Sequence, residues 1–496
     1  MHRRLQLLLA TAALALGFAS VVSASVGPLV LASGPSPFAA CTVGGPGTNY
    51  VNAEVEPWVA VNPTDPNNII GVYQQDRWNN GGAHGLVAAV THDGGVSWAH
   101  SWAHFSLCSG GTVANGGDFD RATDPWVTFS PNGNAYQISL SFNAANAVNA
   151  VLVSKSTSGG DTWSEPVTLI RDTSDFNFND KESITADPND ANYVYAVWDR
   201  SRHPGGNPNL NAFHSYAFRG DPYFSRTTNG GASWESARNM FTQNKNLWTI
   251  GHQIVVQPNG TLIDLFAAFN NENAKKMRGW TVQVLRSTDK GTTWSGPYFV
   301  SRLGTIGVRD PETGDDVRTG DIIPDIAVNR TNGNLYAVWQ DARFNGGAAD
   351  AIAFSQSLDG GLTWSPPIKV NQTPTGIPTG NQQAFTASVE VANDGTIGVT
   401  SYDFRNNTTD PTTLPTDYFA VHCHPTTATA CTSSSNWSGS ENMVTVTSFD
   451  MRDAPEAGGF FTGDYEGLAA TGSFLTFFAQ PHGTDPASTF FRRVGP

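Results

Sequence analysis

The chain alternates short apolar segments with polar turns, and the same order of segments recurs seven times. Each recurrence begins after an acidic or polar residue, and a second segment rich in aliphatic and aromatic residues follows a turn of Asn, Pro, Asp or Gly. A period of two predicts β-strands, and no amphipathic helical pattern competes. The first strands are predicted at Glu56–Val61, Trp126–Phe129, Ser183–Ala186, Gln253–Val256, Ile326–Val328, Ala387–Val391 and Glu466–Ala470. Their partners are predicted at Ile69–Gln75, Ala135–Phe142, Tyr193–Trp198, Leu262–Phe269, Leu335–Trp339, Thr396–Tyr402 and Phe474–Ala479.

A second pattern, Ser/Thr-x-Asp-x-Gly-x-Ser/Thr-Trp, closes five of these recurrences. An Asp or Asn side chain accepts hydrogen bonds from backbone N–H groups of a tight turn, glycine supplies a positive φ, and Trp buries its ring between sheets. We therefore predict five turns between third and fourth strands, in which the aspartates are structural and are replaced by Ser158 and Asn229 in two copies. The copies are Thr91–Trp98, Ser156–Trp163, Thr227–Trp234, Ser287–Trp294 and Ser357–Trp364, and a degenerate sixth lies around Ser434–Trp437.

This repeated segment resembles the Asp box, or BNR repeat, of the sialidase-type β-propellers. The resemblance covers nearly the whole chain after its N-terminal segment. It implies an all-β fold, a β-propeller of four-stranded antiparallel blades. The seven first strands predict seven blades, with six, the number in sialidases, as the alternative. We expect a single propeller domain over residues 37–496, whose ring is closed by a strand from the segment around Phe38–Val43.

The N-terminal segment has the features of a secretory signal peptide. Two arginines, Arg3 and Arg4, precede an apolar run from Leu7 to Val22, and small residues lead to a cleavage site after Ala24. A membrane anchor is the alternative, although the run is short for one. Residues 25–36 are predicted to be a leader of small residues, and the mature protein is predicted to be secreted.

Four cysteines suit an oxidising compartment. Of the three possible pairings we favour Cys423–Cys431, across a local excursion, and Cys41–Cys108, which ties the N-terminal segment to the first blade. The two histidines that flank Cys423 leave a metal site as an alternative.

A net charge of −15 argues against nucleic acid or an anionic membrane as a partner. An anionic substrate stays possible, because a local arginine cluster overrides the global sign. No later stretch is apolar enough to span a bilayer. We expect a monomer whose partner is a glycan or glycoconjugate.

Chemistry is predicted on the face opposite the repeated turns, where first strands start and second strands end. Acids and other polar residues precede the first strands, and second strands end in Asp–Arg signatures. Crowded carboxyl groups raise one another's pKa, as general acid catalysis requires. Alternatively, each Asp–Arg pair is a structural salt bridge, or the acids hold calcium; no cofactor is otherwise required. The signatures are Asp76–Arg77, Asp199–Arg200, Asp341–Arg343 and Asp403–Arg405, and the acids include Glu54, Glu56, Asp124, Asp180, Glu182, Asp321, Asp325 and Asp464.

The resemblance also implies roles for single residues. A retaining sialidase attacks with a Tyr activated by a Glu, protonates the leaving group with an Asp and binds the substrate carboxylate with three arginines. By position, Tyr465 corresponds to the nucleophile and Glu182 to its base, and Asp76 takes the acid role by default. The expected substrate-binding residues are Arg77, Arg200, Arg343, Arg405, Glu56, Asp124, His252 and Asp325.

One motif departs from the family. Its first arginine belongs to a Phe/Tyr-Arg-Ile-Pro motif at the first inner strand, where this chain reads Glu54-Val55-Glu56-Pro57. An acid there repels a substrate carboxylate. Three functions therefore stay open: a secreted sialidase-like glycoside hydrolase, a non-catalytic propeller that binds glycan or protein, and a structural or assembly factor.

Overall fold

The computed structural model of the protein describes residues 26–202, 219–241, 247–270 and 279–495. Within these ranges the fold is all-β, as the alternating pattern predicts. Its helical segments there are five 3₁₀ turns, at Ala342–Asn345, Thr379–Gln382, Ala430–Thr432, Ser434–Trp437 and Met451–Asp453. The signal peptide predicted at Met1–Ala24 lies outside the described residues.

Seven antiparallel meanders, counted within the described residues, form the body of the molecule. Strand β1 (Val30–Leu31) comes first along the chain and belongs to the seventh meander. The first three meanders are β2 (Asn49–Val61), β3 (Ile69–Trp78), β4 (Ala83–Thr91) and β5 (Ala99–Ser101); β6 (Arg121–Phe129), β7 (Ala135–Phe142), β8 (Asn149–Ser156) and β9 (Val167–Asp172); and β10 (Asn177–Ala186), β11 (Val194–Arg202), β12 (Arg219–Thr227) and β13 (Arg238–Asn239).

Four further meanders follow along the chain, with a short insertion between the fourth and the fifth and one extra strand in the sixth. The fourth comprises β14 (Leu247–Val256), β15 (Leu262–Asn270), β16 (Thr281–Ser287) and β17 (Ser295–Arg302), and the insertion contributes β18 (Val308–Arg309) and β19 (Asp316–Arg318). The fifth comprises β20 (Asp325–Val328), β21 (Leu335–Asp341), β22 (Ala351–Ser357) and β23 (Ile368–Lys369). The sixth comprises β24 (Ala384–Val391), β25 (Ile397–Asp403), β26 (Pro415–Cys423) and β27 (Asn442–Met443), with β28 (Phe449–Asp450) also on β26. After β29 (Phe460–Phe461), the seventh comprises β30 (Gly467–Ala470), β31 (Phe474–His482), β32 (Asp485–Val494) and β1.

The seventh meander takes its fourth strand from the other end of the chain. Val30 pairs with Phe491 and Leu31 with Phe490, both in β32. The prediction that Phe38–Val43 supplies this strand is wrong, because that segment is held elsewhere. Its Phe38 is buried, and its Cys41 is bonded to Cys108 at the edge of the first meander.

The apolar core is divided into clusters that lie between successive meanders. One cluster joins the third and fourth meanders, through residues such as Tyr195 and Phe266, and another joins the seventh and first, through Phe477 and Tyr73. The first strands contact one another in the same order, from β2 through β6, β10, β14, β20, β24 and β30 back to β2. Burial of apolar residues between neighbouring meanders therefore continues around a closed cycle.

The five repeated segments are turns, and each begins on the last residue of a third strand. In the turn at 357–364, Gly361 N donates to Ser357 Oγ at 2.8 Å, and Thr363 N donates to Asp359 Oδ1 at 2.9 Å. Gly360 and Gly361 have φ values of 73° and 87°, which favour glycine. Trp364 is half-buried against the cluster between the fourth and fifth meanders. The predicted turn role of these segments is confirmed.

Both predicted disulfides are present, Cys41–Cys108 and Cys423–Cys431. Such bonds fit an oxidising compartment. Among the described residues, no helix has the length and apolar character needed to span a bilayer.

Candidate functional site

Bulges near the start of five first strands set the geometry of one end of the ring. The pairing with the second strand slips in β2, β6, β10, β14 and β24. At each slip one residue adopts a left-handed backbone conformation, and three of these residues are charged: Glu56 (φ 52°), Asp124 (φ 51°) and Lys181 (φ 48°). A bulge redirects the side chain of the extra residue, and non-glycine residues in this conformation cluster at functional sites.

The three charged residues meet at a single ammonium group. Lys181 Nζ lies 2.8 Å from Glu56 Oε1, 2.6 Å from Asp124 Oδ1 and 2.8 Å from Asp464 Oδ2. Asp464 also accepts from Arg318 Nε at 2.9 Å. All three carboxylates are almost completely buried, so these ion pairs are screened little by solvent.

A cleft of about 590 Å³ opens above this cluster. One wall is charged and carries Glu56, Arg77, Asp124, Asp180, Lys181, Arg318 and Asp464. Apolar side chains also line the cleft and include Leu140, Phe142, Phe178, Ile250, Trp280 and Val308. The rim is built partly by the inserted sheet, in which β19 pairs with β18 and, in parallel, with β29.

The carboxyl groups of the charged wall differ in protonation. Burial raises the pKa of Glu56 to about 7, although the Lys181 ammonium opposes the shift. Burial, followed by the charge of Asp124, raises the pKa of Asp180 well above its usual range. Arg318 and Lys181 hold the pKa of Asp464 well below its usual range despite burial. One cleft wall therefore presents both a carboxyl group that carries a proton near neutral pH and a carboxylate that stays ionised.

A narrow cavity of about 30 Å³ lies beneath the cluster and shares Lys181 and Asp464 with the cleft. The Trp58 and Trp126 rings stack with centroids 3.4 Å apart, and the Tyr465 ring packs against Trp126 at 5.3 Å. The Tyr465 hydroxyl donates to the Pro125 carbonyl oxygen at 3.2 Å, and burial raises the pKa of Tyr465 well above its usual value.

Glu182 lines the same cavity as Tyr465. Within the described residues its carboxylate oxygens have no side-chain hydrogen-bond partner. Burial raises the pKa of Glu182 well above its usual value. The structure thus brings the predicted nucleophile and its predicted base to one cavity, with the tyrosine hydroxyl bonded to a backbone oxygen.

Two arginines that line the cleft lie close to the same aromatic ring. The guanidinium carbons of Arg77 and Arg318 lie 4.9 Å and 4.5 Å from the centroid of Phe461. Arg77 is buried, donates to Gln74 Oε1 at 2.7 Å and makes no ion pair within the described residues. Sequence reasoning missed Arg318, because it lies in the irregular insertion between the fourth and fifth meanders, where no strand periodicity points to it.

The other three predicted clamp arginines do not line either cavity. Arg200 pairs with Asp172, Arg343 with Asp341, and Arg405 with both Asp403 and Glu441. The structure therefore does not assemble the expected arginine clamp. Two of these pairs are the local salt bridges considered as the alternative.

Spacing explains which Asp–Arg signatures form pairs. Adjacent residues of a strand point to opposite faces, so Asp199 and Arg200 of β11 are directed apart. A two-residue spacing lets Arg343 Nε return to Asp341 Oδ1 at 2.8 Å, and Arg405 does the same to Asp403.

Asp76, the predicted acid, is fully buried away from the cleft wall. It accepts hydrogen bonds from Ser36 Oγ at 2.6 Å and Asn52 N at 2.9 Å, and His84 Nδ1 lies 3.1 Å from it. These partners lower its pKa although burial opposes them. A carboxylate kept ionised in this way is a poor proton donor, so the structure disfavours Asp76 as the acid.

The two remaining predicted residues belong to the walls of the narrow cavity. His252 Nδ1 lies 2.8 Å from Asp264 Oδ2, and its ring stacks on Phe266. Asp325 accepts from Val389 N at 2.7 Å, and burial raises its pKa to about 7. His252 is therefore held by its own meander, whereas Asp325 is bonded to the neighbouring sixth meander.

The structure shows no geometry for the metal sites left open by the sequence. No group of three or more His, Cys, Asp or Glu side chains among the described residues is arranged to hold a metal ion. In the acidic cluster, the ammonium of Lys181 occupies the centre where a cation would bind.

Comparisons with known proteins give similarities of fold at low sequence identity. No family model and no curated protein matches the sequence. A Hadza microbial sialidase is 12% identical over 86% of this chain and 73% of its own, with a TM-score of 0.47. An α-L-arabinanase of Penicillium chrysogenum, complexed with arabinobiose, is 12% identical over 76% of this chain and 94% of its own, also at 0.47. A Trypanosoma rangeli sialidase is 14% identical over 75% of this chain and 53% of its own, at 0.41.

Proposed function

We propose that the protein is a secreted enzyme that cleaves glycans, built as a seven-bladed β-propeller with its site in the cleft above Lys181. The seven meanders, the cores between them and the closed cycle of first strands support the propeller. Placement of β1 beside β32 supports a domain that begins near residue 26, within the predicted leader.

The enzymatic proposal is based on two carboxyl groups of the charged wall, of which one has a raised pKa and the other a lowered pKa. Glu56, with a pKa of about 7, suits a general acid at neutral pH, whereas Asp464 is held ionised. In this mechanism Glu56 protonates the glycosidic oxygen as the bond to the leaving group breaks. The carboxylate of Asp464 stabilises the positive charge that develops on the sugar, and water completes the hydrolysis.

The cleft suits a sugar that carries a carboxylate or another anionic group. Within the described residues Arg77 is a buried cation without an ion pair, and such a charge is stabilised by a bound anion. Arg318 also lies close to the Phe461 ring and lines the cleft. Phe178 and Trp280 line the cleft as well and offer flat apolar surfaces for a sugar ring.

The sialidase mechanism is a narrower form of the same proposal. Tyr465 and Glu182 share the narrow cavity, which favours it, and the acid would then be Glu56 rather than Asp76. Arg77 and Arg318 would then hold the substrate carboxylate in place of the expected set of Arg77, Arg200, Arg343 and Arg405.

A second candidate is a non-catalytic propeller that binds glycans. This candidate is favoured because the reactive groups already have partners within the protein. Lys181 forms ion pairs with three carboxylates, and the Tyr465 hydroxyl donates a hydrogen bond to the Pro125 carbonyl oxygen. Such a site recognises a ligand without reacting.

The two candidates are separated by a screen of the purified protein against sialosides, uronic-acid oligosaccharides and neutral aryl glycosides, with and without calcium. We expect turnover of an anionic glycan that falls about 100-fold or more in Glu56→Gln. Loss of sialoside turnover in Tyr465→Phe would support the narrower form. Glycan-array binding without turnover on any substrate would contradict the enzyme and support the second candidate.

A further inference from the structure

The ammonium of Lys181 is surrounded by three carboxylates inside the protein. An ammonium has three N–H donors and no acceptor. The three carboxylate oxygens of Glu56, Asp124 and Asp464 lie at 2.8, 2.6 and 2.8 Å, and the Lys181 side chain is only 9% exposed. Glu56 and Asp124 accept hydrogen bonds from the ammonium and Asp464 forms an ion pair with it, so the role of this lysine is exerted through the three carboxylates.

These carboxylates come from separate parts of the ring. Glu56 belongs to the first meander, Asp124 to the second, and Asp464 to the segment before the seventh, whereas Lys181 belongs to the third. Without a cation between them, the three acids would repel one another in a poorly solvated space. Arg318 contacts Asp464 and does not reach the other two among the bonds of the described residues.

The arrangement has the chemistry of a cation site. Carboxylate oxygens are the ligands that calcium prefers, at about 2.3–2.6 Å. Here the oxygens surround Nζ at only slightly longer distances. The nitrogen also lies 5.5 Å from the centroid of the Tyr465 ring, beside the stacked tryptophans.

We propose that Lys181 is the positioning residue of the cleft, an internal cation that holds Glu56, Asp124 and Asp464 where other carboxylate-rich sites carry a metal ion. For catalysis the proposal rests on the proposed function. The part of the proposal that concerns the positions of the three carboxylates does not depend on the proposed function.

Two neutral variants test the geometry. Lys181→Gly removes the ammonium, opens its space and suits the left-handed backbone. Lys181→Met removes the charge but fills the space. Lys290→Ala is the matched control, because Lys290 is also left-handed (φ 57°) but pairs with one carboxylate, Asp190 at 2.7 Å. The probe is Tb³⁺, an oxygen-seeking ion whose emission is sensitised by nearby Tyr and Trp rings.

We expect sensitised emission in Lys181→Gly that added Ca²⁺ displaces, and none in the wild type, Lys181→Met or Lys290→Ala. Calcium should also raise the Tm of Lys181→Gly alone, by about 1–3 °C. If this variant is recovered only by refolding, its yield should rise with Ca²⁺. Absence of emission and of any calcium effect in Lys181→Gly would overturn the proposal, as would equal emission in the control.

The pH profile of turnover separates this proposal from the proposed function. Loss of the ammonium removes the charge that opposes the high pKa of Glu56. The alkaline limb of the wild-type profile should therefore move to higher pH in Lys181→Gly. Ion binding by Lys181→Gly without turnover of any glycan by the wild type would support the positioning role of Lys181 and contradict the proposed enzymatic function. Turnover by Lys181→Gly with an unchanged pH profile and without ion binding would support the enzymatic function and contradict the positioning role of Lys181.

Discussion

Acidic residues have different environments at the two ends of this ring. In the repeated turns, Asp359 is exposed and accepts from two N–H groups and two hydroxyls, which lower its pKa although the partial burial opposes them. At the cleft, carboxyl groups are buried among one another, and burial raises the pKa of Asp180 and Glu56. Repetition thus marks the scaffold, whereas the residues of the cleft differ from one meander to the next.

Removing a cleft carboxylate should have the largest effect on stability. Asp464→Asn leaves Lys181 and Arg318 with a neutral partner, and breaking a buried pair costs about 3–5 kcal/mol. Chemical denaturation measures this loss. Asp118→Asn, which breaks the more exposed pair with Arg171, should cost no more than about 1 kcal/mol. Equal losses would remove the energetic distinction between the cleft and the surface.

Glu182→Gln should give a stability change that depends on pH. The folded-state pKa of Glu182 is raised above its unfolded value, so the folded protein keeps a proton that the unfolded chain releases. As pH rises above about 4.5, the wild type should lose up to about 1.4 kcal/mol per pH unit relative to the variant. Denaturation at pH 5, 6 and 7 measures the widening difference. A constant difference would mean that Glu182 is ionised in the folded protein.

Asp359→Ala should lower the free energy of unfolding by about 1–3 kcal/mol, since the turn loses the acceptor of its hydrogen bonds. The cost should shrink as pH falls through the depressed folded-state pKa of Asp359, which is opposite in sign to the effect of Glu182. Thermal unfolding at pH 7 and pH 3 checks both statements. A cost that grows in acid would contradict the turn assignment.

Ser158→Asp should produce the smallest change, a gain of about 0.5–1.5 kcal/mol. In this natural variant of the turn, Ser158 Oγ accepts from Thr162 N at 3.0 Å, and an aspartate would add bonds of the kind seen at Asp359. The matched change Ser164→Asp, just outside the turn, should bring no gain. Stabilisation by both would indicate a general charge effect.

Much of the fold was predictable from the sequence, because strands and turns are local patterns. Trp126–Phe129 ends where β6 ends, but the strand begins earlier, at Arg121. The bulge at Asp124 breaks the two-residue period, so the pattern hides the part of the strand that builds the site. The error at Phe38–Val43 is of another kind, since strand pairing between the chain ends leaves no local signal.

Site residues were predictable only where their position at the start or end of a strand determines which end of the ring they reach. Glu56, Asp124, Glu182, Arg77 and Tyr465 follow from their places at strand starts and ends, and the structure brings them to the cleft or the cavity beneath it. Their protonation depends on burial and on partners from distant meanders.

The roles of two further cleft residues, Arg318 and Lys181, could not be predicted from the sequence. Arg318 lies in an insertion without periodicity, and Lys181 stands between Asp180 and Glu182 in a sequence that assigns it no role. No sequence pattern indicates that its ammonium contacts three other parts of the chain.

The most direct test of the contrast compares Arg77→Lys with Asp359→Ala in one assay, at a temperature where both are folded. The measurement is kcat/KM on the anionic glycan that the wild type turns over best. An ammonium cannot reproduce the planar, two-pronged contact of a guanidinium with a carboxylate. We therefore predict a loss of about 100-fold or more in Arg77→Lys and wild-type kcat/KM in Asp359→Ala. Equal losses in the two variants, or an unchanged Arg77→Lys, would contradict the assignment of function to the cleft.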